Sequence, residues 1–249
     1  MKHFFSIIGG MGTLATESYV RLINHRVHAE KDQDYLNYML VNDAQVPDRT
    51  AYIMDHTKPN FFYDLKDDIE NQSKLNPDFI VMVCNTAHYF YDDLAVLTDV
   101  PFLHMMRIAV HNFVDNYPKE EKIGLIATEG SIYDHLYADE IEKVGKKVEL
   151  GGPEIQPMVN ELIYTNIKEK GVVDKKLYHK ILKTMHDKYD CKVVLLGCTE
   201  LSLAQEQAPD HPYNIIDPQS IIADVSIELA QKIRKGMDPK EATKKYLYK

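Results

Sequence analysis

"FIVMVCNTAHYF", residues 79–90, is apolar at five consecutive positions and then breaks at Cys84 into a small polar turn. A run that is apolar at every position, not at every second one, marks a strand covered on both faces, as in parallel sheets flanked by helices. "KVVLLGCTELSL", residues 192–203, repeats the design: a hydrophobic strand, a cysteine at its end and a threonine within two residues. Cys84 and Cys198 are offset by 114 positions (84 to 198). A second echo has nearly the same spacing. "SIIGGMGTLAT" (6–16) and "GLIATEGSIYD" (124–134) both read as strand, glycine beside a hydroxyl residue, then helix, and Gly12 aligns with Gly130 at an offset of 118 (12 to 130). Two similar half-chains, each contributing one thiol, account for both matches.

The alternation continues along the chain. Strands are predicted at Phe4–Ile8, Tyr38–Val41, Phe79–Val83, Phe102–Met105, Ile123–Ala127, Lys147–Leu150, Val193–Leu196 and Asn214–Ile216. Helices are predicted where apolar residues recur at helical spacing: Phe61, Leu65 and Ile69; Met158, Leu162, Ile163 and Ile167; Leu177, Ile181 and Met185; Ile221, Val225 and Leu229. The fold class is α/β, with two pseudo-symmetric lobes built on mainly parallel sheets and the active site in the cleft between them. We divide the chain into a first lobe (1–115), a second lobe (116–225) and a C-terminal helical segment (226–249) that can return to the first lobe.

Composition removes several function classes. With 38 acidic and 29 basic side chains the net charge is −9, and no Lys/Arg stripe is present to neutralise a phosphate backbone. The sixteen tyrosines are spread evenly and suggest no stacking platform for bases. Nucleic acid is therefore not an expected partner. No apolar run approaches the length of a bilayer span, and the run Phe4–Ile8 is too short for a signal peptide, so a cytoplasmic protein without a membrane partner is expected. Three cysteines, an odd number, argue for reduced thiols over a disulfide framework.

A thiol between a strand end and a following helix faces the positive end of that helix, which predicts a pKa below the usual value of about 8.5. Two such thiols on opposite sides of a cleft can remove a proton from one face of a carbon and return one to the other, inverting a stereocentre. Backbone N–H groups of Asn85, Thr86, Ala87, Thr199 and Glu200 suit the oxygens of the resulting enediolate. Such chemistry requires neither metal nor cofactor, and neither is expected. Gly9-Gly10-Met11-Gly12 allows close approach of a ligand but lacks the third glycine of a dinucleotide fingerprint.

The motifs "GGMGTLAT", "QVPDRT", "CNTAHYF", "IKEKG" and "LGCTELSL", in this order, resemble the cofactor-independent aspartate racemases of the aspartate/glutamate racemase superfamily, from residue 5 to about residue 235. The resemblance implies two similar lobes, a homodimer, and Cys84 and Cys198 as the two acid/base residues. It implies that Arg49 and Lys168 grip substrate carboxylates and that Met11, Gln45, Thr50, Asn85, Thr86 and Thr199 line the pocket. Relatives commonly carry proline where this chain has Thr13. Glutamate racemases typically have Asp-Ser-Gly after the first strand and histidine after the second Cys-Thr. Here Gly9-Gly10-Met11 and Glu200 stand in those places, which favours aspartate. Bidentate binding by Arg49 and a point charge at Lys168 would suit a small dicarboxylic amino acid.

Other readings remain open on the residues alone. Arg49 also suits an ion pair with Asp48, and Lys168 suits a helix C-terminus. Glu200 either steers Cys198 or caps a helix. His88, four residues past Cys84, either tunes the thiol or is structural; His104 and Cys191 read as structural. The alternative functions are a related carbanion enzyme (a racemase of another acid, a maleate-type isomerase or a decarboxylase), a Cys84/His88 hydrolase, a zinc protein using Cys84, His88, Cys191 and Cys198, and a non-enzymatic binding protein.

Overall fold

A computed structural model describes residues 1–248. All eight predicted strands form: β1 (Phe4–Gly9), β2 (Asn37–Asn42), β3 (Ile80–Met82), β4 (Phe102–Leu103), β5 (Lys122–Ala127), β6 (Lys147–Glu149), β7 (Val193–Gly197) and β8 (Asn214–Ile216). They make two four-stranded sheets, ordered β2-β1-β3-β4 and β6-β5-β7-β8, with every pairing parallel. The halves repeat in register as well as in order. Ser6 pairs with Ile80 in the first sheet and Gly124 with Val194 in the second, at the offsets of 118 (6 to 124) and 114 (80 to 194) that the sequence echo shows.

Both faces of each central strand are covered. In β3 and its flanks, Phe79, Val81 and Val83 enter one apolar cluster while Ile80, Met82 and Cys84 enter another. In β7, Val193 and Leu195 face one cluster, and Val194, Leu196 and Cys198 the other. Side chains alternate across a strand, so each cysteine continues the even-numbered face of its strand and emerges beyond the carboxyl end. Burying each Val, Leu or Ile there contributes about 1.5–3 kcal/mol, which fixes the register.

In the first half the strands are connected by α1 (Thr13–Arg26), α2 (Arg49–Met54), α3 (Phe62–Ser73) and α4 (Tyr91–Ala95). The strand expected over Phe102–Met105 stops at Leu103. His104 instead caps α5 (Met105–Asn116), its Nδ1 accepting from the Arg107 N–H at 3.3 Å. Helix α5 bridges the lobes: Met105 and Ile108 join the first lobe's core, whereas Met106, Ala109, Val110 and Phe113 pack on β5 and β7. The second half carries α6 (Glu129–Tyr133), α7 (Leu136–Lys143), α8 (Ile155–Asn160), α9 (Lys175–Asp187) and α10 (Thr199–Gln207).

The expected α-helix through Ile167 widens after α8 into a π-helix, Glu161–Glu169, a rare geometry frequent at functional sites. Helix α11 (Pro218–Arg234) starts with Asp217 accepting from the N–H groups of Gln219 and Ser220 and with proline at its first turn. It runs across position 226 as one helix and packs Ile222, Val225, Leu229 and Ile233 into the first lobe's core, followed by α12 (Pro239–Thr243). Among the described residues no helix is long and apolar enough to cross a membrane.

Candidate active site

The carboxyl ends of both sheets open on one small cleft. Its lining is Met11, Asp48, Arg49, Thr50, Cys84, Asn85 and Thr86 from the first lobe and Thr128, Lys168, Cys198, Thr199 and Glu200 from the second. The two sulfurs, each on a residue 5% exposed, face the same cavity. A wider groove lies elsewhere, at the β2 edge beside Asn24, His25 and Tyr35 to Tyr38, and no cysteine, carboxylate, lysine or arginine lines it.

The echoed glycines are where the lobes touch. A Cβ on Gly12 would come 3.1 Å from Glu200 Oε1, and one on Gly130 would come 2.9 Å from the Thr50 Cα. Each half therefore keeps a bare backbone where the other half crosses it. Gly10, at φ +94°, sits against the Asp43 backbone, and its N–H donates to Thr16 Oγ1 at 2.9 Å, holding the first turn open above Met11.

Arg49 is anchored before any ligand arrives. Its Nη1 donates to the carbonyls of Val46 (3.0 Å) and Pro47 (2.9 Å), and its Nη2 to that of Met11 (3.3 Å). Three of the five guanidinium N–H groups are thus used and two remain for a carboxylate. Asp48 does not pair with it. The Asp48 carboxylate caps α2 instead, accepting from the Ala51 N–H at 2.7 Å. Across the cleft, Lys168 Nζ lies 5.0 Å from the Tyr164 ring centroid and 3.7 Å from Glu200 Oε1. Burial favours the neutral amine, but the Glu200 carboxylate beside it opposes that and the lysine is pushed up, so Lys168 is cationic.

The thiol environments correct one expectation. Neither cysteine is acidified: burial pushes both thiols above their ordinary value. The helix behind Cys84 is only the 3₁₀ segment Thr86–Phe90, too short to offset that penalty. The two sites nonetheless differ. Against burial, Cys84 has the Arg49 charge, the Ala87 N–H and Lys168 favouring its thiolate, with Glu200 opposing. For Cys198, burial is reinforced by the Glu200 carboxylate, to whose Oε2 its Sγ donates at 2.8 Å, with Lys168 and the Glu200 N–H opposing. Cys198 is thereby held as a thiol although it caps α10.

Polar links between the lobes frame the space between the sulfurs. Tyr164 donates to Thr50 Oγ1 at 3.1 Å. Thr86, Thr128 and Ser131 form a triangle of hydroxyls, with separations of 3.0, 3.2 and 2.9 Å. Tyr137 Oη donates to Asn85 Oδ1, and Asn85 Nδ2, on a residue 2% exposed, has no partner among the described residues.

Ten of the sequence-predicted residues meet in the cleft: Cys84, Cys198, Met11, Arg49, Thr50, Asn85, Thr86, Lys168, Thr199 and Glu200. Gln45 does not. The turn after β2 folds its N–H onto Asp43 Oδ1 at 2.9 Å and leaves the side chain exposed. Ala87 lies behind Cys84 and serves through its N–H. His88 donates from Nδ1 to the Cys84 carbonyl at 2.8 Å, and its Nε2 accepts from the Met105 N–H at 3.2 Å. Both ring nitrogens face backbone, not sulfur, and burial pushes the imidazole down to about 4, so it is neutral and positions the chain. Cys191 packs beside Gly124 in the second core. Among the described residues no three His, Cys, Asp or Glu side chains converge on a metal site. Thr128, Tyr137 and Tyr164 were not singled out from the sequence, and Asp48 only as a partner for Arg49. Of the first three only Thr128 carried a signal, as the strand end of the echo at 124–134.

The family model for Asp/Glu/hydantoin racemases matches residues 8–225. The broad-specificity amino-acid racemase RacX of Bacillus subtilis is 23% identical over 223 residues, covering 87% of this chain and 93% of that one. A glutamate racemase of Oceanobacillus iheyensis is 27% identical over 136 residues, and this match spans 46% of that protein, about half its length. Among solved structures, the Picrophilus torridus aspartate racemase superposes with a TM-score of 0.75 at 21% identity, covering 96% of this chain and 97% of that one. The glutamate racemase of Francisella tularensis, solved with D-glutamate, gives 0.59 at 19% identity, covering 93% and 81%. These structural likenesses are of fold. From its family match over most of its length, the chain belongs to the Asp/Glu/hydantoin racemase family.

Proposed function

We propose that the protein is a cofactor-independent amino-acid racemase that interconverts L- and D-aspartate by two-base transfer of the α-proton. The carrying observation is a pair of buried cysteines, one from each lobe, lining one cavity that also holds Arg49 and Lys168. In one direction the Cys84 thiolate takes the α-proton: a sulfur–hydrogen bond forms, the Cα–H bond breaks, and its electron pair moves into the α-carboxylate as an enediolate. The S–H bond of Cys198 then breaks and delivers its proton to the opposite face of Cα. The reverse direction exchanges the roles. No electrons leave the substrate, so the chemistry calls for no redox partner.

Arg49, with two free N–H groups, and Lys168 supply the cations a diacid requires in a protein of net charge −9. The activities named for relatives include aspartate, glutamate and broad specificity. Aspartate is preferred on the residues, with glutamate as the second candidate. We further propose that it acts in the cytoplasm as a homodimer, following the family resemblance. Incubation with L-aspartate in heavy water tests the reading: D-aspartate carrying α-deuterium is expected. Absence of both product and label across a panel of L- and D-amino acids removes it.

A further inference from the structure

We infer that Tyr137, a residue of the second lobe that never touches substrate, is a positioning residue that aims the Asn85 amide at the carboxylate where the carbanion's charge collects. This rests on the racemase reading above and adds to it a second-lobe residue controlling a first-lobe donor.

Three observations carry it. First, Asn85 lines the cleft between Cys84 and Thr86, and its Nδ2 is buried without any partner. A buried amide left unpaired is costly, and such an orphan at a ligand cavity marks a donor reserved for the ligand. Second, what fixes this donor is the other end of the amide. Asn85 Oδ1 accepts from Tyr137 Oη, and among the described residues no other side-chain hydrogen bond orients the group. A primary amide has one acceptor end and one donor end, so pinning the oxygen to Tyr137 turns the NH2 group towards the cleft. Third, Tyr137 is a dedicated donor. It is fully buried at the start of α7 within the second lobe's core, and burial, with the Asp217 carboxylate adding to it, holds its hydroxyl protonated.

The neighbouring polar groups do not compete for this task. Thr86, Thr128 and Ser131 satisfy one another in their triangle. Nδ2 gains most when the α-carboxylate becomes an enediolate, because the oxygens are then most negative, and a preorganised donor stabilises that charge without reorganising. Packing of the second lobe against the first thus sets the donor next to Cys84, 52 residues from the hydroxyl that aims it.

The test is Tyr137→Phe, which keeps the ring and removes the hydroxyl. Expected is a loss in kcat of about tenfold to a hundredfold with KM for aspartate changed by less than about threefold, since the donor acts chiefly on developing charge. A double-mutant cycle with Asn85→Ala separates positioning from general damage: Tyr137→Phe is expected to cost nothing further once Asn85 is gone. Additive penalties, or a wild-type kcat in Tyr137→Phe, overturn the inference. A crystal structure of Tyr137→Phe decides it without turnover: the Asn85 amide is expected to leave its present orientation, and an unchanged amide refutes the role. Wild-type protein that racemises no amino acid would remove the functional reading, and this structural measurement would still judge the Tyr137–Asn85 link.

Discussion

Cys198 donates its thiol proton to Glu200 Oε2 at 2.8 Å, and the other oxygen of that carboxylate lies 3.7 Å from Lys168 Nζ. The second lobe's sulfur is therefore kept as an acid by a neighbour two residues away, while Cys84 has Arg49 and the Ala87 N–H favouring its thiolate. The pseudo-symmetry of the backbone is broken at the protons.

This asymmetry gives a pH prediction for Glu200→Gln. Removing the carboxylate takes away the second-largest cause of the raised Cys198 value and only a minor one at Cys84, so the Cys198 thiol gains more acidity. The direction needing Cys198 as proton donor should lose its alkaline limb at lower pH than wild type, and the direction needing it as base should rise at lower pH. The kcat for each enantiomer, measured at saturating substrate across pH 6 to 10, would reveal the split. Parallel profiles for the two directions would contradict it.

Cys84→Ala and Cys198→Ala should each reduce net racemisation by at least about a thousandfold, within the range for a lost general acid or base. Cys191→Ala should leave the rate within about twofold, because that side chain is packed in the core away from the cleft. Chiral chromatography of L-aspartate incubations measures all three.

Arg49→Lys should weaken diacid binding by about ten- to a hundredfold through KM, because a point charge replaces two charge-assisted hydrogen bonds and the backbone clamps that aim them. A variant with unchanged KM would show that Arg49 does not hold substrate.

Gly130→Ala tests the lobe contact. Its Cβ would meet the Thr50 backbone at 2.9 Å, which a small side-chain shift cannot relieve, so about 1–3 kcal/mol of destabilisation is expected together with poorer activity. Gly12→Ala meets only the movable end of Glu200 at 3.1 Å and should cost less. Thermal unfolding of the two variants ranks them.

His88 should contribute to acid lability. Its folded value is pushed from 6.5 down to about 4, so the unfolded chain binds the proton more readily. The stabilisation is complete above pH 6.5 and disappears as pH falls towards 4, by up to about 3 kcal/mol. Urea midpoints of wild type and His88→Gln between pH 7.5 and 4.5 should converge as pH falls; a constant gap would rule this out.

The sequence by itself determined the eight strands, the two-fold repeat and the residues at the strand ends. Those features follow from side-chain alternation along single segments: Cys84 continues the face of Ile80 and Met82, and Cys198 that of Val194 and Leu196. Tertiary structure alone decided what meets across the cleft. Tyr137 reaches Asn85 and Tyr164 reaches Thr50 over 52 and 114 residues, separations at which no local pattern constrains a partner. It also decided outcomes that the sequence left open or misplaced. Gln45 turned to solvent because its turn closed on Asp43, His88 was consumed by two backbone groups, and both thiols became less acidic because burial outweighs a short helix's field.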